Sequence, residues 1–463
     1  MTVLGRQPTA QPRLARSAVA GVTGAVLVAL SGDYGYHRDE LYFLAAGAHP
    51  AWGYPDQPPL TPLIAWATTS LLGDSLVALR LPAALATAAV VLLTALIARE
   101  FGARPGAQVL AAGGTAVSAF VIAVGHLLST ATFDLLAWTA LSWLLTRALR
   151  DGGPVWLVAG LGLENKTLLA FYLAALAVGL LVVSPRAALR SPWLCVGVVA
   201  LALWAPNLWW QATHGWPLRE LSTSIAAGGS ASSAPRWLFL PFQLVLVSLV
   251  LVAVWVIGLW RLLRDPALRM FRLFGIAYFL LAALFLVTGG KPYYLACLYP
   301  VLLAAGAQPV LDWARRGAVT LRSGLVAAAL AVSAAVSVEL VATVAGVHRD
   351  LPPGERGQAV ILAENHGEAG ALQQARSRLG LPPVFSGHNG FGEWGPPPDG
   401  ATPTIAVGLD RVALDELFAS VTPVARIDNG LGLDTEEQGR TVWVCREQRR
   451  PWSQVWSQIC HIG

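Results

Sequence analysis

Charge is scarce in this sequence. Asp, Glu, Lys and Arg make up 13% of its 463 residues, and of 32 basic side chains only two are lysine, Lys166 and Lys291. A chain this poor in charge, 55% hydrophobic and with a mean hydropathy of +0.56, is no ordinary soluble protein. Apolar stretches long enough to cross a bilayer recur through its first three quarters, which marks a polytopic helical membrane protein. The net charge of +5 is small for the length and argues for no nucleic-acid partner. Cysteine is also sparse: four residues, none spaced with histidine as in a zinc site. Walker and dinucleotide glycine patterns are missing, which disfavours direct use of ATP. Neither a metal nor another cofactor is expected.

The arginines report orientation. Arg99 and Arg104, Arg147 and Arg150, Arg186 and Arg190, the group Arg261, Arg264 and Arg269, and Arg315, Arg316 and Arg322 occupy alternate loops. The positive-inside rule assigns those loops, with the N-terminus, to the cytoplasm. Spans are read at 17–31, 78–98, 106–125, 131–149, 154–165, 167–183, 193–210, 237–260, 271–288, 292–311 and 323–346, about eleven in all. The C-terminal part then lies outside the cytoplasmic membrane. There a disulfide between Cys445 and Cys460 is permitted by compartment but not required.

Two parts of the chain are not spans. The outer loop 33–77 holds "DELYFLAAGAHP" and "LTPLIAWATTSLLG" on either side of Pro58-Pro59, which reads as two helices lying along the interface. With that loop, residues 1–346 form the membrane domain. From Val347 the chain turns polar, and "QAVILAE", "EAGALQQARSRLG", "PTIAVGLD", "RVALDELFASV", "VARI" and "TVWVCRE" alternate between strand and helix patterns, a small α/β domain over 347–463. In it "ENHGEAGAL" falls where a strand ends and a helix opens, the usual ligand position of α/β sheets.

Against so little charge, the outer loop's Arg38-Asp39-Glu40 needs a reason. Solvated carboxylates at an interfacial helix start, favoured by the helix dipole, are one reading. A second acid, Asp134, begins the span 131–149 on the same predicted side, and both lysines fall in loops of that side, Lys166 in "GLENKT" and Lys291 in "TGGKPYY" with Tyr293 and Tyr294. Ionisable groups at membrane depth are functional hypotheses by default. Carboxylates with ammonium groups beside an apolar groove suit transfer from a lipid-linked phosphate: a base takes the proton of the incoming hydroxyl, and fixed cations stabilise the phosphate that leaves.

In this order along the chain, "HRDELYF", "YPDQPPL", "TATFDLLAW", "GLGLENKTLLAFY", "APNLWWQ" and "KPYYLACLYPVLL" make residues 15 to 312 resemble the C-type glycosyltransferases, the family of protein O-mannosyltransferases and bacterial lipid A aminoarabinose transferases. The tail "ENHGEAGAL … SGHNGFGEWGPPP" is similar to the C-terminal domain of many actinobacterial-type members. The resemblance implies a polyprenyl-phosphate sugar donor, inverting transfer without metal, Asp39 as the essential acid with Glu40 as its neighbour, and a second acid at Asp134. It further implies Lys166 and Lys291 near the donor phosphate, with Arg38, Tyr293 and Tyr294 as further candidates. Members often carry a basic residue or histidine just before the double proline, where this sequence has Gln57 after Asp56. Asp56, Gln57, Asn207, Glu364, His388 and Asn389 are candidates for substrate contact. The acceptor, a hydroxyl or phosphate on a glycan, glycolipid, protein or secreted metabolite, is left open, as is a second class of function, a transporter or flippase of lipid-linked glycan. Transporters place charge near the midplane and show internal repeats; here the acids cluster at the outer ends and no repeat is evident.

Overall fold

The computed structural model of the chain describes residues 10–32, 36–151, 155–188, 191–230, 233–315, 347, 349–427 and 439–461. These residues form two compact units, one from 10–31, 79–209 and 225–315, the other from 32–78, 210–224 and 347–461.

The first unit is helical and mostly apolar. Among the described residues three helices are long and apolar enough to cross a membrane, Leu76–Glu100, Pro266–Thr288 and Pro292–Trp313; two bent pairs raise that to five if each is one span. Shorter apolar helices cover Leu14–Leu30 and Leu168–Val183. Helices Thr130–Asp151, Val155–Leu163 and Ser191–Thr213 occupy three further stretches read as spans. The stretch 323–346 lies outside the described residues.

Two stretches that read as single spans are broken. Pro105–Ala116 and Ala119–Gly125 meet at 61°, and Arg236–Val247 and Leu249–Arg264 at 87°. At the second break Ser248 has φ +77°, a backbone state that residues other than glycine rarely adopt. A break frees backbone groups that lipid cannot satisfy. Here the two breaks satisfy each other: Ala119 N–H donates to Ser248 Oγ at 2.9 Å, Ser248 Oγ donates to the Val117 carbonyl at 3.3 Å, and Ser118 Oγ donates to the Leu246 carbonyl at 3.2 Å.

Glycine sets how close the helices come. A Cβ on Gly258 would overlap the Leu302 carbonyl oxygen, and one on Gly306 would overlap that of Val254, so Val252–Arg264 and Tyr299–Arg315 cross with backbones in contact. Such small-residue contacts replace the hydrophobic driving force that helices lack in lipid. Gly306→Val should cost ~1–3 kcal/mol by overpacking, read as a lowered thermal midpoint in detergent; an unchanged midpoint would mean that the two helices do not meet there.

The second unit is α/β. Its strands are β1 (Val360–Ala363), β2 (Val384–Phe385), β3 (Thr404–Val407), β4 (Phe418–Arg426) and β5 (Thr441–Gln448), in the order β2-β1-β3-β5-β4. The first three run parallel, Ile361 pairing with Val384 and Ile405, and β5 is antiparallel to β3 and β4. Leu362, Ala406, Cys445, Trp452 and Trp456 lie in its core. The helix His366–Leu379 follows β1 and ends at Gly380, whose φ of +65° is the left-handed cap that glycine adopts without a Cβ clash. The helices of the outer loop, Arg38–Gly47 and Leu60–Leu72, belong to this unit, and Trp66 and Leu71 of the second are exposed. Cys445 and Cys460 are both free thiols.

Candidate active site

The acidic cluster is built on a helix start. His37 caps Arg38–Gly47: its Nδ1 accepts the Asp39 N–H at 3.2 Å, while the fully buried Glu40 accepts the His37 N–H at 2.9 Å, which completes a capping box. Glu40 thereby holds the turn that presents Asp39. Asp39 keeps 41% of its side chain exposed, with Arg38 Nε and His366 Nε2 each 3.7 Å from its Oδ1 and His37 Nδ1 3.9 Å from its Oδ2. Burial pushes the Asp39 carboxyl up, but the nearby His366 imidazole and the charges of His37 and Arg38 outweigh it and leave the group well below the usual carboxylate range.

Asp56 is treated in the opposite way. Burial raises its carboxyl and the charge of Asp39 adds to that, against a 2.6 Å hydrogen bond from Tyr42 Oη. Two carboxyl groups within electrostatic reach of each other are thus driven apart in acidity, a pattern common where one group must stay charged and another can hold a proton. Burial and Asp56 together raise the Tyr42 phenol well above its ordinary value. Gln57 is buried; its carbonyl accepts the Tyr54 N–H at 2.9 Å, and its Nε2 has no hydrogen-bond partner among the described residues. Trp394 stacks on His49 with centroids 4.3 Å apart.

At the carboxyl end of β1, Glu364 meets Arg440 at 3.4 Å, and Asn365 Oδ1 caps the next helix by accepting the Glu368 N–H at 2.9 Å. His388 stacks on His461 at 4.6 Å, and Asn389, at φ +52°, donates its N–H to the His461 carbonyl at 2.9 Å.

The first unit holds the other candidates. Asp134, one turn into Thr130–Asp151, is 1% exposed; Trp138 Nε1 donates to it at 2.9 Å and Cys297 Sγ lies 3.8 Å away. Lys166 acts on it electrostatically. The turn carrying Lys166 is tied to that helix start by Asn165 Nδ2, which donates to the Thr130 carbonyl at 2.9 Å. The Lys166 ammonium stands over two rings, 5.2 Å from Tyr293 and 5.3 Å from Tyr294. Lys291 approaches Tyr293 as well, at 6.0 Å, and donates to Ser230 Oγ at 2.7 Å. Both lysines of the chain therefore attend one tyrosine ring. Gln243 anchors that segment: fully buried, it donates to the Pro292 carbonyl at 2.8 Å and accepts from Tyr299 Oη at 2.7 Å. Asn207 is buried, and its backbone meets Glu164.

Sequence reading overlooked His366, Tyr42, Ser230 and Gln243. The first had a signal, its place at the strand-to-helix junction; Tyr42 and Gln243 look like ordinary interfacial and core residues until their partners are known.

Residues 56–210 match a family model described as dolichyl-phosphate-mannose-protein mannosyltransferase. Among solved structures, ArnT from Cupriavidus metallidurans bound to undecaprenyl phosphate aligns with a TM-score of 0.61 at 15% identity, over 94% of this chain and 98% of its own. Its apo state aligns equally, at 16% identity over 93% and 97%. The fold is therefore ArnT-like, a multi-pass membrane protein with a small mixed sheet. A search of curated proteins by sequence finds no match.

Proposed function

We propose that this chain, ArnT-like in fold and matched through residues 56–210 by the mannosyltransferase model, is a membrane glycosyltransferase that takes its sugar from a polyprenyl-phosphate donor. The observation that carries the reading is the placement of the only two lysines at Tyr293, since two half-buried ammonium groups beside one aromatic ring suit a phosphate. A lipid phosphate is the ligand named for ArnT, which supports the same class here. The donor phosphate is held by Lys166 and Lys291, with the Tyr293 and Tyr294 rings beside them; Arg38 is a further candidate, here turned to Asp39.

The reaction is an inverting displacement. An acceptor oxygen attacks the anomeric carbon, the bond from that carbon to the phosphate oxygen breaks, polyprenyl phosphate departs with the electron pair, and the acceptor's proton passes to Asp39. Asp134 sustains the charge balance at the lysines, and Asp56, Gln57, Asn207, Glu364, His388 and Asn389 are the groups from which sugar and acceptor contacts are drawn. No metal enters the scheme. The N-terminus lies in the cytoplasm, and transfer occurs on the outer face of the cytoplasmic membrane.

The test uses the purified full chain in liposomes with polyprenyl-phosphate [14C]mannose and, in parallel, the corresponding pentose donor. Release of label to water or to an added cell-envelope acceptor, with polyprenyl phosphate appearing in step, is the expected result. Donor that crosses the bilayer unbroken would replace this reading with that of a flippase, and donor left intact and unmoved would remove both.

A further inference from the structure

Asp39 has a neighbour from far along the chain, and the packing that delivers it is specific. Helices Arg38–Gly47 and His366–Leu379 approach so closely that a Cβ on Gly370 would stand 2.7 Å from Leu41 Cβ and 3.0 Å from its carbonyl carbon. That contact sets His366, at the start of its helix, with Nε2 3.7 Å from Asp39 Oδ1. The opposite edge of the imidazole is held by a second layer: His366 Nδ1 is 3.4 Å from Asn389 Nδ2 and 3.4 Å from His388 Nδ1, and the Tyr42 ring packs at 5.1 Å.

The ionised Asp39 carboxylate can only accept, which places a hydrogen on Nε2. His388 Nδ1 accepts the His366 backbone N–H at 3.3 Å, so it carries no hydrogen of its own. Asn389 Nδ2 can only donate. With its hydrogen on Nε2, the nitrogen nearest the carboxylate, a neutral His366 accepts from Asn389 at Nδ1; a protonated one adds an Nδ1–H that His388 Nδ1 can accept. In either state the nitrogen nearest Asp39 carries a hydrogen.

We propose that His366 is a positioning residue for Asp39, fixing its carboxylate through Nε2–H while His388 and Asn389 fix the imidazole, so that the C-terminal α/β domain completes the reacting centre. The proposal rests on the role given to Asp39 above. The charged and titratable groups around the pair are His37 and Arg38 from the same helix as Asp39, Tyr42 one turn on, Asp56 from the loop that follows, and His388 from the strand-end loop of the α/β domain.

Infrared titration of the full chain in liposomes tests it without a substrate. The protonated-carboxyl band of Asp39 is identified as the one lost in Asp39→Asn. In His366→Gln that band should appear at a pH roughly one to three units higher than in the wild type; His388→Gln, which keeps the imidazole at 366 but loosens it, should move it the same way by less. A His366→Gln protein that is folded by circular dichroism and titrates as the wild type overturns the proposal; should that variant not fold, an unmoved His388→Gln band overturns it instead. With labelled donor, His366→Gln should lower kcat about tenfold with KM unchanged and shift the acidic limb of the profile upward, a split that simple loss of folded protein does not produce. A wild type that releases no label would sink the glycosyltransferase reading and still leave the infrared result to decide this one.

Discussion

Asp39→Asn should reduce release of sugar from the lipid-linked donor by about 10²–10⁴-fold, the range that a positioned general base supplies. The fold should survive. The Asp39 side chain is 41% exposed, its backbone N–H is taken by His37, and asparagine preserves the shape at a helix start. Its ion pairs are partly screened, so their loss costs little. The sign of the pH dependence follows from its acidity. Because the folded carboxyl lies below its unfolded value, the stability it contributes is present above the ordinary aspartate range near 3.9 and is lost only as pH falls towards the folded value. Around neutrality Asp39 is ionised and the melting temperature of Asp39→Asn should match the wild type within a few degrees. Activity retained at the wild-type level would remove Asp39 as the base.

The second large effect belongs to the lysines. Lys166→Ala should lower kcat/KM on the order of 10²–10³-fold, as expected when a fixed charge aimed at a developing anion is removed. Lys166→Arg should recover only part, since a planar guanidinium cannot reproduce a compact ammonium seated over two rings. Lys291→Ala should act in the same direction, and the double variant should lose less than the product of the two single losses, because both ammonium groups attend Tyr293. Titration of undecaprenyl phosphate against the variants separates binding from chemistry. Equal affinity in wild type and both alanine variants would show that neither lysine holds the phosphate.

Several features were readable from the chain alone, for physical reasons. Apolar runs such as 78–98 and 271–288 can be stable only as buried or membrane helices, and the alternation from Gln358 onward, with its closing glycine at 380, could form little else than a small α/β sheet. The breaks at Ser118 and Ser248 were hidden because hydrophobicity continues straight through them; what they require is each other's hydroxyls, and that is a tertiary fact. Glu40 was read as the chemical neighbour of Asp39, whereas the structure gives it the cap. The pattern was masked because histidine stands where a capping box usually has serine or threonine.

Composition and spacing by themselves determined that this chain is a multi-pass membrane protein with a small C-terminal α/β part, since the free energy of burying apolar surface depends on how much there is and how it repeats. Which polar groups meet was decided by the tertiary structure alone. Lys166 and Lys291 come to one ring, and His366 reaches Asp39, through glycine-narrowed helix contacts and buried anchors such as Gln243. Hydrogen bonds and ion pairs act over a few ångströms, so residues distant in the chain acquire a shared chemistry only once packing has set their distance.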